Sequence, residues 1–382
     1  MRRIAALMAL AVAGCGGGGG GPDGAAPVPA PPASGAPAPG PAPAPAGPAP
    51  LLGACEMFPG SAIFNTRIDD TTRFPAHASS AAWVASIGSG VRLHADWGTN
   101  DNPAQPATYY GIPVNVVDPA GTDWPVLTYA GGWPDESDCA VPAAGGFSLT
   151  RNCSAVPAAQ RRFPFPRPDA VKAEGGACND AGSCGDHHVL VVEQGSCRLW
   201  EAYFAYQAGG QWNALSTAAW DLKSLALRPA GWTSADAAGL PITPLLARAA
   251  EASAGEVRHA LRVTFPDSVL ASSFNWPARH GAGSATPGGI PFGSLLRLKG
   301  SFAIPADWTP QARALATAMQ RYGLYVADIG SSFYVQGEPG AAWDARTISQ
   351  LQTLAMGQME FVDLAAVTGD ARFSRDSLAA SW

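Results

Sequence analysis

Six cysteines, Cys55, Cys139, Cys153, Cys178, Cys184 and Cys197, set the tightest limit on how the body of this chain folds. The chain opens with a leader. Arg2 and Arg3 form a positive n-region, and Ile4–Ala13 is an apolar run too short to span a bilayer. A chain carried out of the cell by such a leader meets an oxidising compartment, where an even number of cysteines reads as disulfides. Six cysteines allow fifteen connectivities. Short loops favour Cys139–Cys153 and Cys178–Cys184, which leaves Cys55–Cys197 to tie the start of the body to a distant hairpin. A zinc site is the alternative. No C-x2-C spacing occurs, and export favours oxidation, so neither a metal nor a cofactor is expected.

The leader ends in Val12-Ala13-Gly14-Cys15. Small residues before a cysteine at this place resemble the lipobox of bacterial lipoproteins. The resemblance implies that residues 1–14 are a signal peptide, that Cys15 carries lipid (palmitate-type acyl chains) and that a membrane is a partner through it. Gly16 follows the cysteine where an aspartate retention signal would stand, which favours the outer membrane. Residues 15–50 are a glycine run followed by a Pro/Ala tract in which Val28 is the only large apolar residue. Such a segment buries too little surface to offset its ordering entropy and reads as a disordered, semi-rigid spacer. The body, residues 51–382, is expected to be a single globular β-rich domain. It resembles strand-rich, uncharacterised exported bacterial proteins, a likeness that carries no activity.

The formal charge is −6, and loss of Arg2 and Arg3 with the leader makes it −8. With no basic run, nucleic acid is not an expected partner. Short runs of β-branched and aromatic residues recur at 114–117, 188–193, 199–205, 257–265, 295–302, 324–327 and 332–336, each bounded by Gly, Pro, Asn, Asp or Ser. Helical patterns are few: 79–87, the Thr243-Pro244 segment running on to Gly255, the Thr309-Pro310 segment, and 344–356. The expected fold is therefore mainly β, a β-sandwich or jelly-roll-like body with short peripheral helices.

One hairpin, 186–206, carries His187, His188, Glu193 and Glu201. A turn at Gly195-Ser196 puts Glu193 opposite Arg198, as a cross-strand ion pair. Alternation then places His188, Leu190, Val192, Leu199, Glu201 and Tyr203 on one face, with His187, Val189, Val191 and Trp200 on the other. His188 and Glu201 lie on a diagonal roughly 7–8 Å between backbones. A carboxylate on an apolar face has reason to carry a raised pKa, so Glu201 is the candidate acid or nucleophile. Asp96, in what reads as a polar loop beside His94 and Trp97, Glu256 on the strand read over Gly255–Phe265 and Asp328 at a turn are candidates for the second carboxylate. Glu256, Arg258 and Arg262 also fit a solvated charge ladder. His188, Tyr203, His259 and the Trp276, Arg279, His280 group are candidate substrate contacts.

The chain has no G-x-S-x-G, H-E-x-x-H, P-loop, dinucleotide fingerprint or EF-hand loop. Two functions fit. One is a polysaccharide-active hydrolase, which needs two carboxyl groups about 5–10 Å apart across an open groove. A Glu201 sealed in the core without a partner would remove its basis. The other is a non-catalytic surface lipoprotein that binds glycan or protein, or braces the envelope. The oligomeric state is not legible.

Overall fold

A computed structural model describes residues 48–118, 121–167 and 170–382. The leader, Cys15 and nearly all of the spacer lie outside the described residues. The body is strand-rich, with several sheets and short helices. Strands of the two larger sheets are numbered along the chain. They are β1 (His94–Asp96), β2 (Val114–Val117), β3 (Val189–Glu193), β4 (Arg198–Tyr203), β5 (Ser216–Asp221), β6 (Leu261–Phe265), β7 (Leu295–Leu298), β8 (Leu324–Ile329), β9 (Tyr334–Gln336) and β10 (Met359–Phe361). One sheet has the order β5-β4-β3-β2, the other β10-β7-β8-β6-β9-β1.

The hairpin β3–β4 pairs in the expected register, with Glu193 opposite Arg198 and Leu190 opposite Glu201. Its two faces go to different cores. Leu190, Val192 and Leu199 join the main core with Val263 and Leu296 of the second sheet. Val189, Val191 and Trp200 pack instead against Leu127, Phe163, Phe165 and Trp212. Both faces are thus covered, which is why the hairpin reads as an almost unbroken apolar run. The expected Glu193–Arg198 ion pair does not form. The Glu193 carboxylate accepts from the Trp200 indole at 3.4 Å, and the Arg198 guanidinium lies 5.9 Å from that ring's centroid.

Helices α1 (Ser80–Ile87), α3 (Pro310–Arg321) and α4 (Ala345–Leu351) begin where the caps predict, whereas α2 (Ala249–Ser253) begins well after its expected cap at Thr243. The Thr309 hydroxyl accepts from the Ala312 amide at 3.1 Å, Pro310 occupies the first turn, and Leu315 and Met319 face the core. Asp344 caps α4 in the same way. The segment expected as one helix from Thr243 is broken. After a short turn at Thr243–Leu245 the chain extends, because Ala247 pairs with Gly337: its amide reaches the Gln336 carbonyl, and its carbonyl accepts from Glu338. A tertiary strand contact here overrides a helical sequence.

The three disulfides are Cys55–Cys197, Cys139–Cys153 and Cys178–Cys184, with Cα separations of 5.4, 5.9 and 5.7 Å. Cys55–Cys197 spans 142 residues and Cys178–Cys184 only six, so the first restricts the unfolded chain far more. Replacing Cys55 and Cys197 together by serine is expected to cost about 2–5 kcal/mol in denaturant unfolding, and the Cys178/Cys184 pair less. Equal losses would remove this account.

Candidate active site

The six-stranded sheet has one polar face. Residues paired in register share a face, and successive residues alternate. Tyr334 pairs with His94 and with Thr264, and Thr264 pairs with Asp328, so these four form one row. Gln336 pairs with Asp96, and Arg262 lies two residues from Thr264, which gives a second row. The His94 and Tyr334 rings stack at 4.0 Å. The β6–β8 register shifts after Val263, so Asp328 joins the polar face while Val326 lies on the reverse side with Ala95, Val263 and Val335, all buried.

Arg262 is the centre of this face. It is 1 % exposed and bonded to Asp236 and, at 3.7 Å, to Asp328. Its field also reaches Asp96, Glu174 and Glu201. Burial pulls the guanidinium down, but Asp236 and Asp328 outweigh this and hold it raised. From the four-stranded sheet come His188, just before β3, and Tyr203, at the end of β4. His188 Nδ1 lies 2.6 Å from Glu174, and its Nε2 lies 2.9 Å from the Ala235 carbonyl. Both ring nitrogens face acceptors, so the doubly protonated ring satisfies both. Burial disfavours that charge, but Glu174 outweighs it and holds His188 up at about 9.

Carboxylates outnumber cations here, and this decides where protons reside. Burial, then the charge of Asp236, pushes Asp328 up to about 7 against the opposing pull of Arg262 and His188. Burial raises Asp236 to about 6, with Arg262 opposing. Burial and the charge of Glu174 raise Asp96. Glu174 goes the other way: burial would raise it, but His188 holds it below the usual carboxylate range. The Asp328 and Glu174 side chains are each 25 % exposed, so solvent reaches both.

Of the residues expected from sequence, Asp96, His188, Tyr203 and Asp328 come together here. Asp96 lies on edge strand β1, not in a loop, which is what places it on the polar face. Glu201 is behind the site and fully buried. Its two oxygens accept from the Ile242 amide at 3.0 and 2.9 Å, and one also accepts from the Thr243 amide at 2.8 Å. Burial raises its pKa and these amides oppose the rise. A sealed glutamate that pins main chain does not meet a substrate, so a hydrolase built on Glu201 loses its basis, and any acid role at this face falls to Asp328 instead.

Glu256 lies at the surface, paired with Arg258 at 2.6 Å. The charge-ladder reading holds for that pair and fails for Arg262, which is buried. His259 is buried, 3.0 Å from Glu251 through Nε2 and 2.8 Å from the Ala260 carbonyl through Nδ1. Arg279 is buried and bonded to Asp376 at 2.6 Å. His280 Nδ1 meets the Ala237 carbonyl at 2.8 Å, beside Asp236. Trp276 lines a different cleft. Nothing in the sequence marks Glu174, Asp236 or Arg262 as site residues. The first two stand in Gly- and Ala-rich stretches without periodicity, and nothing local distinguishes them from turn residues. Among the described residues, no group of three or more His, Cys, Asp or Glu side chains is placed to hold a metal ion. Comparison with protein families, curated proteins and solved structures finds no match.

The raised carboxyls tie stability to pH. The folded state holds the Asp328 proton more tightly than the unfolded chain, whose ordinary value is near 3.8. That contribution is complete below the unfolded value and is lost as pH rises through about 7. Melting temperatures measured from pH 4 to 8 are expected to fall less for Asp328→Asn than for the parent, and an unchanged slope would remove this account. Glu201→Gln leaves an amide nitrogen against buried backbone N–H groups and is expected to cost roughly 1–3 kcal/mol in denaturant unfolding.

Proposed function

We propose that this chain is an exported, membrane-anchored hydrolase of glycans, with Asp328 as general acid and Glu174 as the ionised carboxylate that activates water. The observation that carries the reading is the opposite tuning of these two partly exposed carboxyls. Asp328 is raised to about 7 and Glu174 is lowered, with His188 between them in charge. Acid and base roles divide between titratable groups whose surroundings push their pKa values apart. In glycoside cleavage the Asp328 carboxylic acid gives its proton to the glycosidic oxygen as the C–O bond breaks, and the bonding pair leaves with that oxygen. Water attacks the anomeric carbon and passes its proton to Glu174. Exchange with solvent returns both groups to their starting states.

Asp96, Tyr203 and the stacked His94–Tyr334 pair are read as sugar contacts. The two larger sheets are read as a sandwich-like frame around them. Cys15 supplies the lipid anchor and residues 16–50 the spacer that lets the body reach an envelope glycan, with the outer membrane as its location. A second reading, a non-catalytic lipoprotein that binds glycan or protein, draws on the fact that His188 and Glu201 both hold the 235–243 backbone.

Reducing-end release from a panel of polysaccharides separates the two. The hydrolase is expected to lose roughly 10²–10⁴-fold in kcat in Asp328→Asn and in Glu174→Gln. The basic limb of its kcat/KM profile is expected near the raised Asp328 value of about 7. Absence of hydrolysis across the panel, or full activity in Asp328→Asn, would reject it.

A further inference from the structure

A cleft of about 430 Å³ opens on the β7–β10 side of the six-stranded sheet. This volume falls in the range of small-molecule sites, about 300–1,000 Å³. Its walls are aromatic: Trp83, Trp276, Phe274 and Phe373 line it. His77 stacks on Trp83 at 4.5 Å with the rings 9° apart. His77 Nδ1 accepts from the Ser79 amide at 3.1 Å, so in the neutral ring Nε2 carries the hydrogen as a donor. Phe274 is 38 % exposed. Ser294 also lines the cleft. It is 6 % exposed, and its hydroxyl is buried with no partner. A buried hydroxyl without a hydrogen bond costs free energy that a ligand hydroxyl would return. Asp363 and Arg375 bring opposite charges to the lining, so the cleft has no excess of either sign.

We propose that this cleft is a second, non-catalytic binding site for a neutral glycan. Pyranose rings have an apolar face for indole and phenyl rings and a hydroxyl rim for Ser294 and His77. An acyl chain would leave the Ser294 hydroxyl unpaired, and an acidic sugar would meet Asp363 as well as Arg375. The glycan class rests on the reading given for the acidic site, but the binding itself does not need Asp328 chemistry. Trp276 and His280 lie on one short segment, and His280 braces the Ala237 carbonyl. One segment therefore serves both places.

The test uses the full chain carrying Asp328→Asn, so that failure of hydrolysis and failure of binding stay distinct. Tryptophan fluorescence is followed while cellohexaose, chitohexaose, hexagalacturonate or laurate is added. Saturable binding of a neutral hexamer is expected, weakened at least roughly tenfold by Phe274→Ala and by Ser294→Ala, and retained in Glu174→Gln. Phe274 is exposed enough for its truncation to leave the core packed, and circular dichroism checks each variant. Four results would overturn the proposal: no binding of either neutral hexamer, binding only of hexagalacturonate or laurate, neutral-hexamer binding unchanged by Phe274→Ala and Ser294→Ala, or binding lost in Glu174→Gln alone.

Discussion

The organisation of this protein turns on one buried cation. Arg262 is 1 % exposed, and an uncompensated guanidinium in such a place would cost several kcal/mol. Asp236 supplies the close compensating charge, Asp328 at 3.7 Å adds to it only when ionised, and each comes from a different part of the chain. Asp328 ends a strand of the same sheet. Asp236 sits on the irregular segment 232–243, and its position there depends on that segment being held.

That holding is shared by both sheets. From the four-stranded sheet, Glu201 accepts from Ile242 and Thr243, His188 faces the Ala235 carbonyl, and the Ser216 hydroxyl donates to the Ser234 carbonyl at 2.6 Å. From the six-stranded sheet, the Ala238 amide donates to the Ala327 carbonyl at 2.9 Å. A buried loop must pair its backbone polar groups, and here buried side chains do much of that pairing. The carboxylates around this segment therefore divide into two kinds. Glu201 is used up on main chain, whereas Asp328 and Glu174 keep a face toward water.

The same arrangement explains the division of protons. Asp96, Glu174, Glu201, Asp236 and Asp328 lie within the field of one arginine and one histidine. Burial in a low-dielectric setting outweighs these cations, with His94 beside Asp96 and Arg228 near Glu201, so all but Glu174 have raised pKa values. Glu174 escapes because His188 is its own partner. Acid and base tuning thus follows from a local charge imbalance and from which carboxylate the histidine serves.

The sequence by itself determined the spacer composition, the β-rich class and the register of β3–β4, and its loop lengths favoured the disulfide pairing that the structure shows. These depend on short-range rules: turn residues, loop lengths, alternation and caps act within a few residues. It also placed Asp96, His188, Tyr203 and Asp328 among the candidates. Only the tertiary structure decided which face of each strand was covered, and by what. Arg262 and Glu256 sit on what reads as one alternating face, yet one is buried and the other lies in solvent. Asp236 and Glu174 gained their roles through contacts with Arg262 and His188, at sequence separations of 26 and 14 residues. Burial and charge compensation are properties of such meetings, and no local pattern encodes them.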